Sequence, residues 1–183
     1  MSARVVAVVL VVLSVAVQVT VLNRMPVFWG AAPDLVLVVL VGIALRLGAT
    51  SGAVTGFCAG FALDVLPPVE SEAGRCAVLL CLSGYLVGSL TAPDRHSVLS
   101  AVGATAAATV GVGLGYVGIG LLVGDEHVSL GGTVQALAVT LALTVLLSPL
   151  ALFLVSWSMR RFAPERDTLS HVGELRLRGR RRW

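Results

Sequence analysis

The chain has 183 residues, 57% of them hydrophobic and only 13% charged, with 20 glycines and a formal net charge of +3; its mean hydropathy is +0.95. Soluble domains average about 45–50% apolar residues with glycine counted, and about 25% charged, so a soluble core of this size cannot hide the excess and disorder is excluded. Long unbroken apolar blocks also exclude an outer-membrane barrel, whose strands alternate apolar and polar positions. A polytopic helical membrane protein remains.

Taken in chain order, six runs lack a charged side chain: 5–23, 35–45, 47–63, 76–93, 97–124 and 128–159. A hydrocarbon core about 30 Å thick requires roughly 20 helical residues, and the runs predict spans at about 5–23, 34–47, 48–66, 75–92, 97–124 and 131–158. Residues 1–159 thus form one six-helix transmembrane domain, and 160–183 an arginine-rich cytoplasmic tail. The first run follows Met-Ser-Ala-Arg as a signal peptide would, but no small-x-small cleavage pattern follows it, and it reads as a retained helix. The second span is short, about 20 Å at 1.5 Å per residue. Pro33-Asp34 reads as its start, since proline breaks a preceding helix and Asp is a good N-cap. Two forms stay open: an interfacial or re-entrant approach over 27–32 with Phe28 and Trp29 at headgroup level, or one tilted helix from Val27 to Leu47 kinked at Pro33.

All 13 basic residues are arginines. Six spans put both termini on one side, together with Arg4, Arg46, Arg95, Arg160, Arg161, Arg166, Arg176, Arg178, Arg180, Arg181 and Arg182; Arg24 and Arg75 fall on the other. The positive-inside rule then places both termini in the cytoplasm. The outer loops carry Asp34, Glu70, Glu72, Asp125 and Glu126.

Gly52, Gly56 and Gly60 recur every four residues, and Asp64 continues the series on the same helix face. Small residues let membrane helices approach closely, so plain helix packing is the simplest role for these glycines. Asp64 is the one ionisable residue expected at membrane depth. It lies near the outer end of its helix, before Pro67-Pro68, and its expected role is to cap or hydrogen-bond the neighbouring helix start at Gly74-Arg75, or to bind a partner, rather than to transfer protons. Gly113-Leu114-Gly115-Tyr116-Val117-Gly118 matches G-x-G-x-x-G, but the dinucleotide fingerprint requires a preceding strand and a later carboxylate. Here it lies inside an uncharged run with Ala138 where the acid belongs. Gly111, Gly115 and Gly118 form a second small-residue stripe instead. Cys58, Cys76 and Cys81 have no C-x-x-C spacing, and His96, His127 and His171 do not cluster. No metal set, catalytic triad, cofactor motif or nucleic-acid site emerges, so an enzyme is not expected. The tail holds eight arginines against Glu165, Asp167 and Glu174. It reads as a solvated topology signal, as a contact for anionic lipids through Arg176, Arg178, Arg180, Arg181 and Arg182, or as a contact for an acidic cytoplasmic partner.

The series Pro33-Asp34-Leu35, Gly52-xxx-Gly56-Phe57-xx-Gly60-xxx-Asp64, Gly74 and Gly84-Tyr85-xx-Gly88 resembles the rod shape-determining protein MreD family, over residues 33–88. The arginine-rich extension after Arg166 departs from the family pattern. The resemblance implies a non-enzymatic membrane component of the bacterial cell-elongation machinery. Its partner would be an MreC-like single-span protein. That partner links it to the peptidoglycan polymerase and transpeptidase pair of lateral wall synthesis and to the MreB-like filament inside. The fold it implies is similar to the six-helix substrate-binding subunits of energy-coupling-factor vitamin transporters. Transport is therefore the alternative, although Tyr116, Thr133, Gln135 and Thr140 are few polar groups for capturing a vitamin. Either the Gly52/Gly56/Gly60 face or the Gly111/Gly115/Gly118 face is expected to receive a partner's transmembrane helix.

Overall fold

Each uncharged run folds as one helix. The computed structural model describes residues 3–21, 32–66, 74–90, 98–123 and 130–162. They form α1 (Ala3–Thr20), α2 (Leu35–Leu47), α3 (Ala49–Val65), α4 (Arg75–Leu90), α5 (Val98–Val123) and α6 (Leu130–Phe162), with no strand among the described residues. By length and composition, Leu99–Gly120 of α5 and Gln135–Met159 of α6 are able to cross a membrane, while α1 to α4 are shorter apolar helices. Residues 27–31 of the expected approach, the loop acids apart from Asp34, the three histidines and the tail beyond 162 lie outside the described residues.

The short α2 is the centre of the molecule. Every side chain from Val36 to Leu45 is buried, and α2 touches each of the other five helices. Those five form a ring in the order α1, α3, α4, α5, α6 and back to α1. A helix apolar on all sides has no face to offer water and is stable only when surrounded; ten consecutive apolar residues are the sequence basis of that position. The helix starts at Leu35, and residues 32–34 are not helical, so a single kinked helix running through Pro33 is not what forms.

Two glycines make the turns that the packing requires. Gly48 has φ +84° and joins α2 to α3 with no further linker. Its N–H bonds Ala44 O at 2.9 Å, and its own carbonyl accepts from Gly52 N at 3.0 Å. Only glycine adopts this φ without Cβ strain. Gly74, at φ +101°, opens α4 in the same way.

The tightest pair is α3 with α4, and its contact is backbone against backbone. A Cβ added at Gly52 would strike the carbonyl oxygen of Gly84, one at Gly56 that of Leu80, one at Gly60 would lie 2.5 Å from Ala77 Cα, and one at Gly88 2.6 Å from Ala49 Cα. The paired positions (52 with 84, 56 with 80, 60 with 77, 49 with 88) descend on one helix as they rise on the other, the register of antiparallel helices. Lipid tails are as apolar as leucine, so close van der Waals contact has to hold such helices together. Tyr85 points away from this seam and is exposed. The Gly52/Gly56/Gly60 face expected to receive a partner helix is therefore filled from within the chain, by α4.

In α6, Pro149 sits inside the helix and has no N–H for the carbonyl of Val145 four residues earlier. The Ser148 hydroxyl donates to that carbonyl instead, at 2.8 Å, the kind of local repair that makes proline tolerable in membrane helices.

Candidate functional site

The polar side chains that link one helix to another form a layer at the starts of α2 and α4, drawn from all six helices, while Ser14, Ser83, Thr105, Thr109 and Ser148 bond carbonyls of their own helices. Gln18 of α1 is buried. Its Nε2 donates to Pro33 O at 3.1 Å and its Oε1 accepts from Leu35 N at 2.9 Å. Asp34 caps α2, with Oδ1 accepting from Leu37 N at 2.9 Å. The Asp34 N–H donates to Thr144 Oγ1 of α6 at 3.0 Å, and Thr144 is fully buried. The first N–H groups of a helix have no intrahelical acceptor. Here Thr144, Gln18 and Asp34 supply acceptors to residues 34, 35 and 37, so the central helix is pinned at its start by α1 and α6.

Asp64, in the last turn of α3, does the same for α4. Its Oδ2 accepts from Gly74 N and from Ala77 N, both at 3.0 Å, and its Oδ1 from Cys76 N at 3.3 Å. Gly74 has no side chain with which to cap its own helix, and the carboxylate of the adjacent helix takes that place. Its negative charge also meets the positive end of the α4 dipole.

Arg75 completes the layer. It is the first residue of α4 and is 7% exposed, with its guanidinium carbon 4.7 Å from the centre of the Tyr116 ring of α5. A cation over an aromatic face gains about 0.5–2 kcal/mol, more where water is excluded. Arg75 stands at the helix start expected for it on the outer side, but it is packed within the bundle, so Asp64 is not the single ionisable side chain there. Gln18 and Thr144 were not foreseen at all.

The second glycine stripe divides. Gly115 faces Leu79 of α4, whereas no described atom lies within 4 Å of a Cβ built at Gly111 or Gly118; off the stripe, Gly113 faces Leu137 of α6. Gly103 is equally open. This side of α5 is unoccupied by the described residues of the chain. Among those residues, no three His, Cys, Asp or Glu side chains are placed to hold a metal ion.

The sequence model of the rod shape-determining protein MreD family matches residues 2–162, which takes in all six helices. The chain belongs to this family. No curated protein and no solved structure matches it. An MreD family chain with apolar helices is an integral membrane protein with a role in determining rod shape, and the family is one of shape-determining structural proteins rather than of known enzymes. Apart from Phe57 and Tyr85, which are exposed, the residues that carry the MreD resemblance fall into two groups. Asp34, Asp64 and Gly74, together with the Pro33 carbonyl, belong to the polar layer, and Gly52, Gly56, Gly60, Gly84 and Gly88 to the α3–α4 seam.

Proposed function

We propose that this chain is a six-span component of the bacterial cytoplasmic membrane that holds an MreC-like single-span protein and thereby supports lateral peptidoglycan synthesis and cell shape. The observation that carries the reading is the MreD family match over the whole helical domain. The arginine distribution supports an orientation with both termini in the cytoplasm. With Arg46 at the cytoplasmic headgroups, the roughly 20 Å of α2 end about 10 Å short of the outer boundary of a 30 Å hydrocarbon core. That puts Asp34 and the polar layer within the outer leaflet, facing inward, as charged groups at membrane depth do. The tail arginines Arg176, Arg178, Arg180, Arg181 and Arg182 belong in this reading to the anionic cytoplasmic surface.

A vitamin-capture subunit would need a cavity among its helices, and here Val36–Leu45 of α2 fill the centre. The same packing favours contact on the outside of the bundle. Of the two glycine stripes only the α5 face around Gly111 and Gly118 is open, and it is assigned to the partner helix. Gly111→Leu and Gly118→Leu should lower co-purification of the MreC-like protein by about tenfold, some 1.4 kcal/mol, with insertion unchanged. Leu146→Phe, on an exposed position of α6, should leave it as it is. Unaltered co-purification in both glycine variants removes the α5 face from the reading.

A further inference from the structure

A groove of about 450 Å³ runs between α1 and α3 on the outside of the bundle. Val8, Val12 and Ala16 form one wall, and Val54, Cys58 and Leu66 belong to the other. Thr55 is the one hydroxyl among its lining residues. Along α1 the lining from Val8 to Ala16 covers about 12 Å, and along α3 that from Val54 to Leu66 about 18 Å, at 1.5 Å per residue. Half of a hydrocarbon core is about 15 Å, so the groove has the reach of one leaflet. A partner's transmembrane helix would run along some 30 Å.

One end of the groove carries charge. Arg4 lies one turn before Val8, and i to i+4 spacing puts it on the same face of α1 as the lining residues. Its side chain is exposed. Ser51 stands one turn before the lining residues Val54 and Thr55, in the first turn of α3. An apolar trough one leaflet long, opening beside a cation and a hydroxyl, matches a molecule with a hydrocarbon chain and an anionic head.

We propose that the α1–α3 groove is a binding site for one acyl chain of an anionic phospholipid whose phosphate group lies at Arg4. Basic residues near a bilayer surface favour anionic lipids, and the groove turns that general attraction into a fixed site.

Cys58 is exposed and lines the groove, which supplies a direct readout. The purified full-length protein in mild detergent is treated with N-ethylmaleimide, with phosphatidylglycerol or phosphatidylcholine added, and alkylation at Cys58 is followed by peptide mass spectrometry. Phosphatidylglycerol should slow the reaction at lower concentration than phosphatidylcholine. Arg4→Gln should remove that preference, a change of about fivefold, and Val12→Trp, which fills the groove from a side chain 62% exposed, should abolish protection by either lipid. Arg161→Gln, at an exposed arginine of α6, should change nothing. Equal protection by the two lipids in the unaltered protein overturns the proposal. So does an Arg161→Gln effect as large as that of Arg4→Gln, which would mean diffuse surface charge. A Val12→Trp variant that keeps its lipid protection but loses a co-purifying single-span protein would assign the groove to that protein instead. Arg4 is exposed, so Arg4→Gln leaves the core intact and decides the matter even if Val12→Trp fails to fold.

Discussion

A carboxylate within an apolar bundle costs about 2.5–3.5 kcal/mol on insertion scales, and Asp64 offsets this by giving both oxygens to the N–H groups of Gly74, Cys76 and Ala77. Losing a cap generally costs about 1 kcal/mol, and leaving buried donors without acceptors about 1–3 kcal/mol. Asp64→Asn keeps one acceptor oxygen and should lose about 1–2 kcal/mol of stability. Asp64→Ala keeps none and should lose about 2–4 kcal/mol, adding orphaned donors to the lost cap. Thermal unfolding of the detergent-solubilised protein reads the order, and equal losses would contradict the capping geometry. The position of Asp64 near Gly74-Arg75 is legible from a helix-terminal Asp preceding two prolines. The Gln18–Leu35 and Thr144–Asp34 bonds are not, because their partners stand 17 and 110 residues apart and one glutamine or threonine in an apolar run looks like any other.

At the scale of helices, two glycines of similar appearance in the sequence have opposite surroundings. A Cβ at Gly56 would meet the main chain of Leu80, which cannot swing aside as a side chain can, while at Gly111 it would meet none of the described residues within 4 Å. Gly56→Ala should therefore force α3 from α4 and lower stability by about 1–3 kcal/mol, the usual cost of overpacking. Gly111→Ala should raise it by up to about 1 kcal/mol through helix propensity alone. Paired unfolding curves of the two variants check this, and a shift of the same sign in both would refute the assigned seam. The i, i+4 spacing marks a glycine face but does not say which helix covers it. The complementary signal was Gly84 and Gly88, spaced alike on the following helix and able to meet Gly52 and Ala49 in antiparallel register.

For the molecule as a whole, the decisive feature is a central helix too short to look like a span. Its shortness, about 20 Å, makes it the weakest of the six segments when read for membrane crossing. Its unbroken apolar run suits it to the middle of a ring, where five neighbours rather than lipid surround it. Bilayer solvent sharpens what this implies. An exposed leucine on the outside of the ring already faces an apolar medium, so truncating it removes little. A leucine of α2 leaves a void among five packed helices, and the surroundings relax only in part. Leu40→Ala, at a position 1% exposed, should thus cost about 2 kcal/mol, the cavity portion of the usual Leu→Ala loss, since transfer between two apolar media contributes little. Leu146→Ala, at a position 77% exposed, should cost less than about 0.5 kcal/mol, as surface changes do. Denaturant titration of both variants in the same detergent measures the difference. Equal losses would mean that α2 is not enclosed, and with it would go the solid centre that favours outside contact over ligand capture.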